Sequence, residues 1–247
     1  MRHPLRWIEA DWAAAPRVRV VSTLRTGGVS RDPWRSLNLA AHVGDDPASV
    51  QTNRQRLRAA LRLPGEPLWL SQVHGREVVL HEGPVETPPR ADAAVALSPG
   101  RVCAVMTADC LPVALATREG DRVAVAHAGW RGLVGGVLGS TVCALDVPPA
   151  RLVAWLGPAI GPAAFEVGPE VRDAFIARWP ESAPAFEPND RGRFQADLYR
   201  LARVALAAEG VGAVAGGGWC THSAPADFFS YRRDGETGRM ATLAWIA

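Results

Sequence analysis

The sequence contains no long apolar segment. Nowhere in its 247 residues is there the run of roughly 18 consecutive apolar residues that a membrane helix needs. The opening residues, MRHPLRWIEADW, also lack the apolar core of a signal peptide. We therefore expect a cytoplasmic protein with no membrane partner.

Blocks of like charge are absent as well. The 27 basic and 25 acidic residues are scattered along the chain and give a formal net charge of +2, so we expect no nucleic-acid partner. Internal repeats and low-complexity linkers are also missing. A chain of this length with 48% hydrophobic residues can bury one large core, and residues 1–247 are predicted to form a single domain. No feature of the sequence indicates an oligomeric state.

Cysteine is scarce, with four residues and no Cys-x-x-Cys pair. This is too few for a secreted disulfide scaffold, so we expect free thiols. Cys103 and Cys143 lie inside the apolar runs RVCAVM and STVCAL, where we expect both to pack in the core. Cys110 and Cys220 instead border polar or glycine-rich loops.

The N-terminal third combines a strand with a helix. The segment RVRVVSTL, residues 17–24, alternates as a strand does. Asp46 can accept hydrogen bonds from free N–H groups at a helix start, and Pro47 suits the first helical position. The pattern predicts a helix from there to about Leu61, with its buried side carrying Val50, Leu57 and Leu61.

The middle of the chain is rich in short apolar runs. PLWLS, REVVLH, DAAVAL, VCAVMT, PVALAT and RVAVA follow one another between residues 67 and 126, which predicts a meander of strands in one sheet. Helical spacing follows over residues 130–145, 169–179 and 197–209, and further strands are predicted at LVAWL, GAVAG and MATLAWI. Blocks of strands and helices in this order predict a layered α+β architecture.

Three apolar segments end on a reactive side chain. LSQVHG ends just beyond His74, AVMTADC ends at Cys110 and VAVAHAG ends just beyond His127. Two imidazoles and a thiolate suit zinc, and three protein ligands leave a fourth position open for water or substrate. Their separations match no short zinc-finger pattern, so the sheet must bring them together, and each histidine taken alone is also typical of a hydrogen-bonded structural residue.

Two neighbours of these residues offer further chemistry. Asp109, beside Cys110, could orient a ligand, act as a general base or cap the turn. Arg131 lies near the start of a predicted helix, where a cation and free N–H groups together suit phosphate. The alternative for Arg131 is a surface position stacked on Trp130.

Several longer motifs occur together and in order. They are SQVHG, TADCLPVAL, AVAHAGWRGL, GPAIGPAAFEVG and FFSYRRDGETGRMATLAWI, preceded by TLRTGGVS and SLNLAAHVGDDP. Together they resemble the YfiH-like proteins, also called the polyphenol oxidase or laccase-domain family and described as purine nucleoside phosphorylases. The resemblance covers nearly the whole chain from about Val18 onward.

The resemblance implies an αββα layered sandwich that holds one zinc ion through the three residues singled out above, His74, Cys110 and His127. It implies phosphorolysis of adenosine, inosine, guanosine and methylthioadenosine, with purine nucleosides and phosphate as the partners, and hydrolytic deamination of adenosine. Some relatives are also linked to the editing of peptidoglycan precursors.

These reactions ask for particular side chains. Deamination needs a carboxylate that moves protons, for which Asp109 is preferred over Glu166 because it adjoins Cys110. Arginines suit phosphate, and Arg131 ranks first because its turn also carries His127. The residues predicted to bind substrate or phosphate are Arg25, Asn38 and Arg131, with Arg232 and Arg233 as further cations.

The chain departs from the family pattern at two places. Ala163, Ala164 and Phe165 stand where Cys-Cys-Tyr is common, and Ser223 stands where a second cysteine often follows Cys220. Extra thiol ligands are therefore missing, which weakens the case for a larger metal cluster.

Two other functions use the same residues. Two histidines and a cysteine also form the equatorial set of a blue-copper site, as in a copper-dependent polyphenol oxidase. With six histidines in all, and with His3 and His81 in unpromising settings, a multicopper centre is disfavoured. A metal-free cysteine hydrolase would instead use Cys110 as a nucleophile activated by His127.

Overall fold

The computed structural model describes residues 4–12 and 17–247, so His3 lies outside the described residues. The strands are β1 (Trp7–Glu9), β2 (Val18–Thr23), β3 (Pro67–Leu68), β4 (Val78–Leu80), β5 (Ala93–Ala96), β6 (Val102–Thr107), β7 (Leu111–Thr117), β8 (Val123–Ala128), β9 (Leu152–Leu156), β10 (Glu166–Val167), β11 (Phe186–Pro188), β12 (Phe194–Ala196), β13 (Ala213–Gly216) and β14 (Met240–Ile246). The helices are α1 (Pro47–Leu61), α2 (Trp130–Gly135), α3 (Val137–Leu145), α4 (Pro169–Arg178), α5 (Leu198–Ala208) and α6 (Tyr231–Asp234).

Two large sheets carry the fold. The first has the strand order β1-β2-β14-β6-β3, the second has the order β13-β9-β7-β8-β5-β4, and a small third sheet has the order β10-β12-β11. Most neighbours are antiparallel, whereas β3 with β6, β4 with β5, and β9 with β13 are parallel. Both faces of the long central strands are buried, so their sequences read as continuous apolar runs.

The core lies in three layers. Side chains such as Val105 and Val125 fill the space between the two large sheets. Helix α1 covers the outer face of the first sheet, where Leu57 packs with Leu243. Helices α3 and α5 cover the outer face of the second sheet. This arrangement is an αββα layered sandwich, and the predicted α+β class is confirmed.

Helix α1 has the boundaries that the sequence predicts. The Asp46 side chain accepts hydrogen bonds from the backbone N–H groups of Ala48 and Ser49, and Pro47 is the first helical residue. The helix ends where Arg62 takes a left-handed conformation. The expected residues Val50, Leu57 and Leu61 are buried.

Three sequence predictions are wrong. The runs between residues 67 and 126 form parts of both sheets, because β6 pairs with β14 from the far end of the chain and periodicity cannot reveal such a partner. The helix expected over 130–145 is broken into α2 and α3 at Gly136, whose φ is 96°. Cys143 is exposed, because STVCAL is a helix with Cys143 on its outer side, whereas Cys103 is buried as expected.

Within the described residues, no helix has both the length and the apolar character that crossing a bilayer requires.

Candidate metal centre

His74, Cys110 and His127 meet at one edge of the sandwich. One potential ligand atom from each lies within 4.8 Å of the others, and the Cys110 Sγ is 3.9 Å from the His74 Nε2. The two imidazole rings meet edge to face, with centroids 4.7 Å apart. His127 is buried, Cys110 is partly buried and His74 is exposed, so the group is open to solvent on one side.

Strand pairing places two of the three residues. Within β7 and β8, Leu111 is opposite Ala128 and Pro112 is opposite His127. Cys110 directly precedes β7 and therefore lies beside the end of β8. The turn before it contains Asp109, whose φ of 91° allows the chain to reverse between β6 and β7. His74 lies in the loop between β3 and β4. Strand β3 ends at Leu68, earlier than the apolar segment LSQVHG indicates.

A buried carboxylate, Asp92, connects the two histidines. It accepts hydrogen bonds from the backbone N–H groups of Val73, His74 and Gly75 at 3.1, 2.9 and 2.7 Å. One of its oxygens is also 2.8 Å from the His127 Nδ1. A proton on Nδ1 satisfies this contact and leaves the His127 Nε2 free to bind a metal. Sequence reasoning missed Asp92, which stands directly before the buried strand β5.

The contacts of Asp92 favour its charged form. Burial alone would raise the pKa of this carboxyl group, but the hydrogen bonds from His127 and from the backbone of Gly75 and Val73 lower it to about 2. Asp92 is therefore ionised throughout the pH range in which histidines and cysteines titrate.

Cys110 and His127 shift each other's titration in opposite directions. Burial would raise the pKa of the Cys110 thiol, but the charge and hydrogen bond of His127 and the contact with His74 lower it to about 6. Burial would lower the pKa of His127, but the charge of Cys110 and the hydrogen bond to Asp92 raise it to about 9. These contacts favour the thiolate form of Cys110 and the charged form of His127. The thiolate is the form of cysteine that binds metals.

Gly129 leaves the space between the three side chains open. A Cβ atom at this position would lie 3.0 Å from the Cys110 Sγ, 3.1 Å from the His74 Cδ2 and 3.6 Å from the His127 Nε2. The missing side chain is therefore what lets a metal ion approach all three residues. Two imidazole nitrogens and one thiolate are donors that transition metals accept, and the open side leaves room for a further ligand.

A cavity of about 420 Å³ adjoins the three ligands. This volume falls within the range of about 300–1,000 Å³ that small-molecule sites occupy. Its other polar lining residues are His42, Gln72, Thr107, Tyr231 and Arg239. Sequence reasoning did not single out His42, Tyr231 or Arg239, although all three lie within the motifs SLNLAAHVGDDP and FFSYRRDGETGRMATLAWI that carry the resemblance.

The predicted phosphate-binding arginines lie elsewhere. Arg131 stacks over the ring of Trp130 at 4.4 Å, as the alternative interpretation expects. Arg25 donates hydrogen bonds to the carbonyl oxygens of Arg35 and Pro225 and stacks over Phe229 at 4.7 Å. Neither guanidinium is among the groups that line the cavity.

Asn38 and Asp109 are close to the site without lining the cavity. Asn38 is buried, and its Oδ1 accepts a hydrogen bond from the backbone N–H of Arg239 at 2.9 Å. The Asp109 carboxylate accepts hydrogen bonds from the Thr221 hydroxyl at 2.6 Å and from the backbone N–H of Arg232 at 2.7 Å. Both residues thus connect loops around the site.

Glu166, the second carboxylate considered for proton transfer, pairs with Arg191 at 2.5 Å and accepts a hydrogen bond from Asn189. The Cys220 Sγ accepts hydrogen bonds from the Gly161 N–H and the Ser223 hydroxyl. Neither residue joins the metal centre. Across residues 4–12 and 17–247, one group of three or more histidine, cysteine or acidic residues has metal-binding geometry.

The fold and the site define an αββα sandwich with an open His-Cys-His group that could hold a metal ion. Residues 19–247 match the family model described as multi-copper polyphenol oxidoreductase laccase. The chain belongs to this family, and the resemblance expected from its motifs is confirmed.

Relatives cover almost the whole chain. The chain is 56% identical over 241 residues to the purine nucleoside phosphorylase PA4543 of Pseudomonas aeruginosa, covering 97% of this chain and 98% of the relative. It is 51% identical over 239 residues to the purine nucleoside phosphorylase YfiH of Escherichia coli, with coverages of 97% and 98%.

Solved structures share the fold. The Neisseria meningitidis protein NMB0706 has a TM-score of 0.93 at 51% identity, over 97% of this chain and 98% of that one. YlmD from Geobacillus stearothermophilus has a TM-score of 0.91 at 31% identity, over 97% and 96% of the two chains.

The open space at Gly129 makes a direct prediction for metal binding. In Gly129→Ala, the new methyl group would displace the Cys110 sulfur and the His74 ring, so we expect the metal content to fall from about one ion per chain to near zero. The φ of −60° and ψ of 156° at Gly129 suit alanine, so the fold should persist. Elemental analysis of the purified variant measures the metal directly.

Gly135→Ala is the matched control. It makes the same change in helix α2, where an added Cβ meets no atom within 4 Å. We expect it to keep its metal. Equal metal content in the two variants would contradict the site described above.

Proposed function

We propose that this protein is a zinc-dependent purine nucleoside phosphorylase that also deaminates adenosine. Its substrates are adenosine, inosine, guanosine and methylthioadenosine, which it cleaves with phosphate. The main support for this proposal is that three potential ligand atoms lie within 4.8 Å of one another on the wall of a cavity of about 420 Å³. The names of the relatives that span nearly the whole chain support the substrate class.

The donor set favours zinc. His74, Cys110 and His127 supply two nitrogens and one sulfur, as in catalytic zinc sites with one open position. Oxygen reduction by a multicopper oxidase requires additional histidine ligands. Within the described part of the chain, no second group of histidine, cysteine and acidic residues stands beside the first. Zinc, when bound, supplies Lewis acidity that lowers the pKa of water to about 7.

In phosphorolysis, a phosphate oxygen bonds to the sugar C1′ while the bond from C1′ to the purine nitrogen breaks. The nitrogen keeps the bonding electrons and takes the proton of hydrogen phosphate, which gives the free base and ribose 1-phosphate. Asp92 contributes by holding the backbone of His74 and the ring of His127 in place, which keeps the site preorganised.

Asp109 contributes through its neighbours. The proton-transfer role expected for it remains a prediction, and its hydrogen bonds to Thr221 and Arg232 support a positioning role, since both carboxylate oxygens are occupied. Through them it connects the turn that carries Cys110 to the start of α6, which carries Tyr231.

Tyr231 offers a stacking face for the purine base. Its side chain lines the cavity and yet is 61% exposed, which places a large aromatic ring at the mouth. Stacking between a base and an aromatic ring contributes about 1–3 kcal/mol.

The substrate assay is decisive. Incubating the zinc-loaded protein with adenosine, with and without phosphate, should release adenine only with phosphate and inosine in both cases. Chromatography separates adenine, inosine and hypoxanthine, which report separate reactions. A chelator should abolish both activities, and alkylation of Cys110 without any effect of the chelator would instead indicate a cysteine hydrolase. The absence of all three products would refute the proposal.

Tyr231 is testable by a pair of variants. We expect Tyr231→Ala to raise the KM for adenosine about 10-fold, because the stacking face is lost, and Tyr231→Phe to stay within about 2-fold of the wild type. Steady-state kinetics at saturating phosphate measures both. A KM in Tyr231→Ala equal to that of the wild type would remove Tyr231 from the base site.

A further inference from the structure

Arg239 lines the same cavity as His74, Cys110 and His127. Of the residues with a described position, it contributes the one guanidinium that lines this cavity. It directly precedes β14, the middle strand of the first sheet. Its Nη1 donates hydrogen bonds to the carbonyl oxygens of Thr237 at 2.8 Å and Gly238 at 3.0 Å. These contacts fix the plane of the guanidinium.

The backbone of Arg239 is fixed as well. Its N–H donates to the buried Asn38 side chain at 2.9 Å, and its carbonyl oxygen accepts a hydrogen bond from the Leu39 N–H at 3.3 Å. Asn38, which the sequence predicts to touch substrate, therefore acts on the cavity through Arg239. A cation held by a strand and a buried amide is positioned before any ligand arrives.

The remaining donors of Arg239 have no partner. Over residues 4–12 and 17–247, its Nε and Nη2 form no hydrogen bond, and no carboxylate lies within 4.0 Å of it. Tyr231 packs against it, with the ring centroid 5.8 Å from the guanidinium carbon. Leaving a partly buried cation unpaired is unfavourable, so this edge of the guanidinium favours an anion.

The nearby groups do not satisfy this cation. The two oxygens of Asp109 already accept hydrogen bonds, and the Cys110 sulfur belongs to the metal ligands. Partial burial, followed by the charges of Arg239 and Arg54, lowers the pKa of His42. Both effects favour the neutral form of His42, so His42 does not supply a competing positive charge beside Arg239.

We infer that Arg239 binds the phosphate co-substrate through its free Nε and Nη2 edge. The inference rests on the proposed function and assigns the phosphate subsite to a residue other than Arg131 or Arg25. Two parallel N–H groups of a guanidinium match two oxygens of phosphate. Phosphate on Arg239 therefore shares one cavity with the three candidate metal ligands.

Two variants of Arg239 test the assignment by kinetics. We expect Arg239→Gln to raise the KM for phosphate about 10- to 100-fold, since it removes charge-assisted hydrogen bonds. Arg239→Lys keeps the charge without the paired donors, so its KM should lie between those of the wild type and Arg239→Gln. Metal content and melting temperature should match the wild type in both, which separates phosphate binding from folding.

Arg172→Gln is the matched control. The Arg172 guanidinium stacks on Phe194, 5.1 Å from the ring centroid, and is not part of the cavity lining. Arg172→Gln therefore makes the same charge change outside the cavity and should keep the wild-type KM for phosphate. An increase in the phosphate KM of Arg131→Gln, with Arg239→Gln unchanged, would overturn the inference.

A binding measurement separates this inference from the proposed function. Inorganic phosphate should raise the melting temperature of the zinc-loaded wild type, and the rise should be lost or much reduced in Arg239→Gln. If phosphate binds through Arg239 but no nucleoside is cleaved, the anion site stands and the proposed function fails. Equal phosphate responses in the wild type and Arg239→Gln would refute the inference, whatever the activity.

Discussion

The site depends on one buried carboxylate. Asp92 receives the backbone N–H groups of residues 73 to 75 and the Nδ1 of His127. These hydrogen bonds attach a loop that has no regular structure of its own to the start of β5 and to His127 near the end of β8. Without them, His74 would be an exposed side chain on a free loop. With them, His74 lies where Cys110 and His127 already are.

The same carboxylate sets the electrostatics. Folding lowers the pKa of Asp92 to about 2, so its contribution to stability is present above its ordinary pKa of about 3.9 and is lost as the pH falls through about 2. Its charge helps to raise the pKa of His127, and His127 in turn lowers that of Cys110. These shifts favour the thiolate form of Cys110, which is the form that binds a metal cation. Arg239 lines the same cavity, and its positive charge favours an anion.

Much of this site could be predicted from the sequence. The three ligand candidates stand beside turns where apolar segments end, and a run of motifs supports the layered fold. Helix α1 was predictable because its start, its end and its buried face all depend on local residues. Periodicity reveals which residues of a segment face a core, even when the element that packs against that segment is unknown.

The rest depends on contacts between distant segments. Asp92 meets His127 because β5 pairs with β8, and Arg239 meets Asn38 across most of the chain. No local pattern reveals which distant residue each of them contacts. The division of the middle strands between two sheets was missed for the same reason, since strands buried on both faces look alike in either sheet.

The central claim is that Asp92 assembles the metal site. An Asp92→Asn variant keeps the size of the side chain but removes the charge, so it is the most direct test. We expect its zinc affinity, measured by competition with a chromophoric chelator, to fall about 10- to 100-fold. The control is Asp46→Asn, which changes a carboxylate at the start of α1 and should keep the wild-type zinc affinity. A folded Asp92→Asn protein with wild-type zinc affinity would contradict the account.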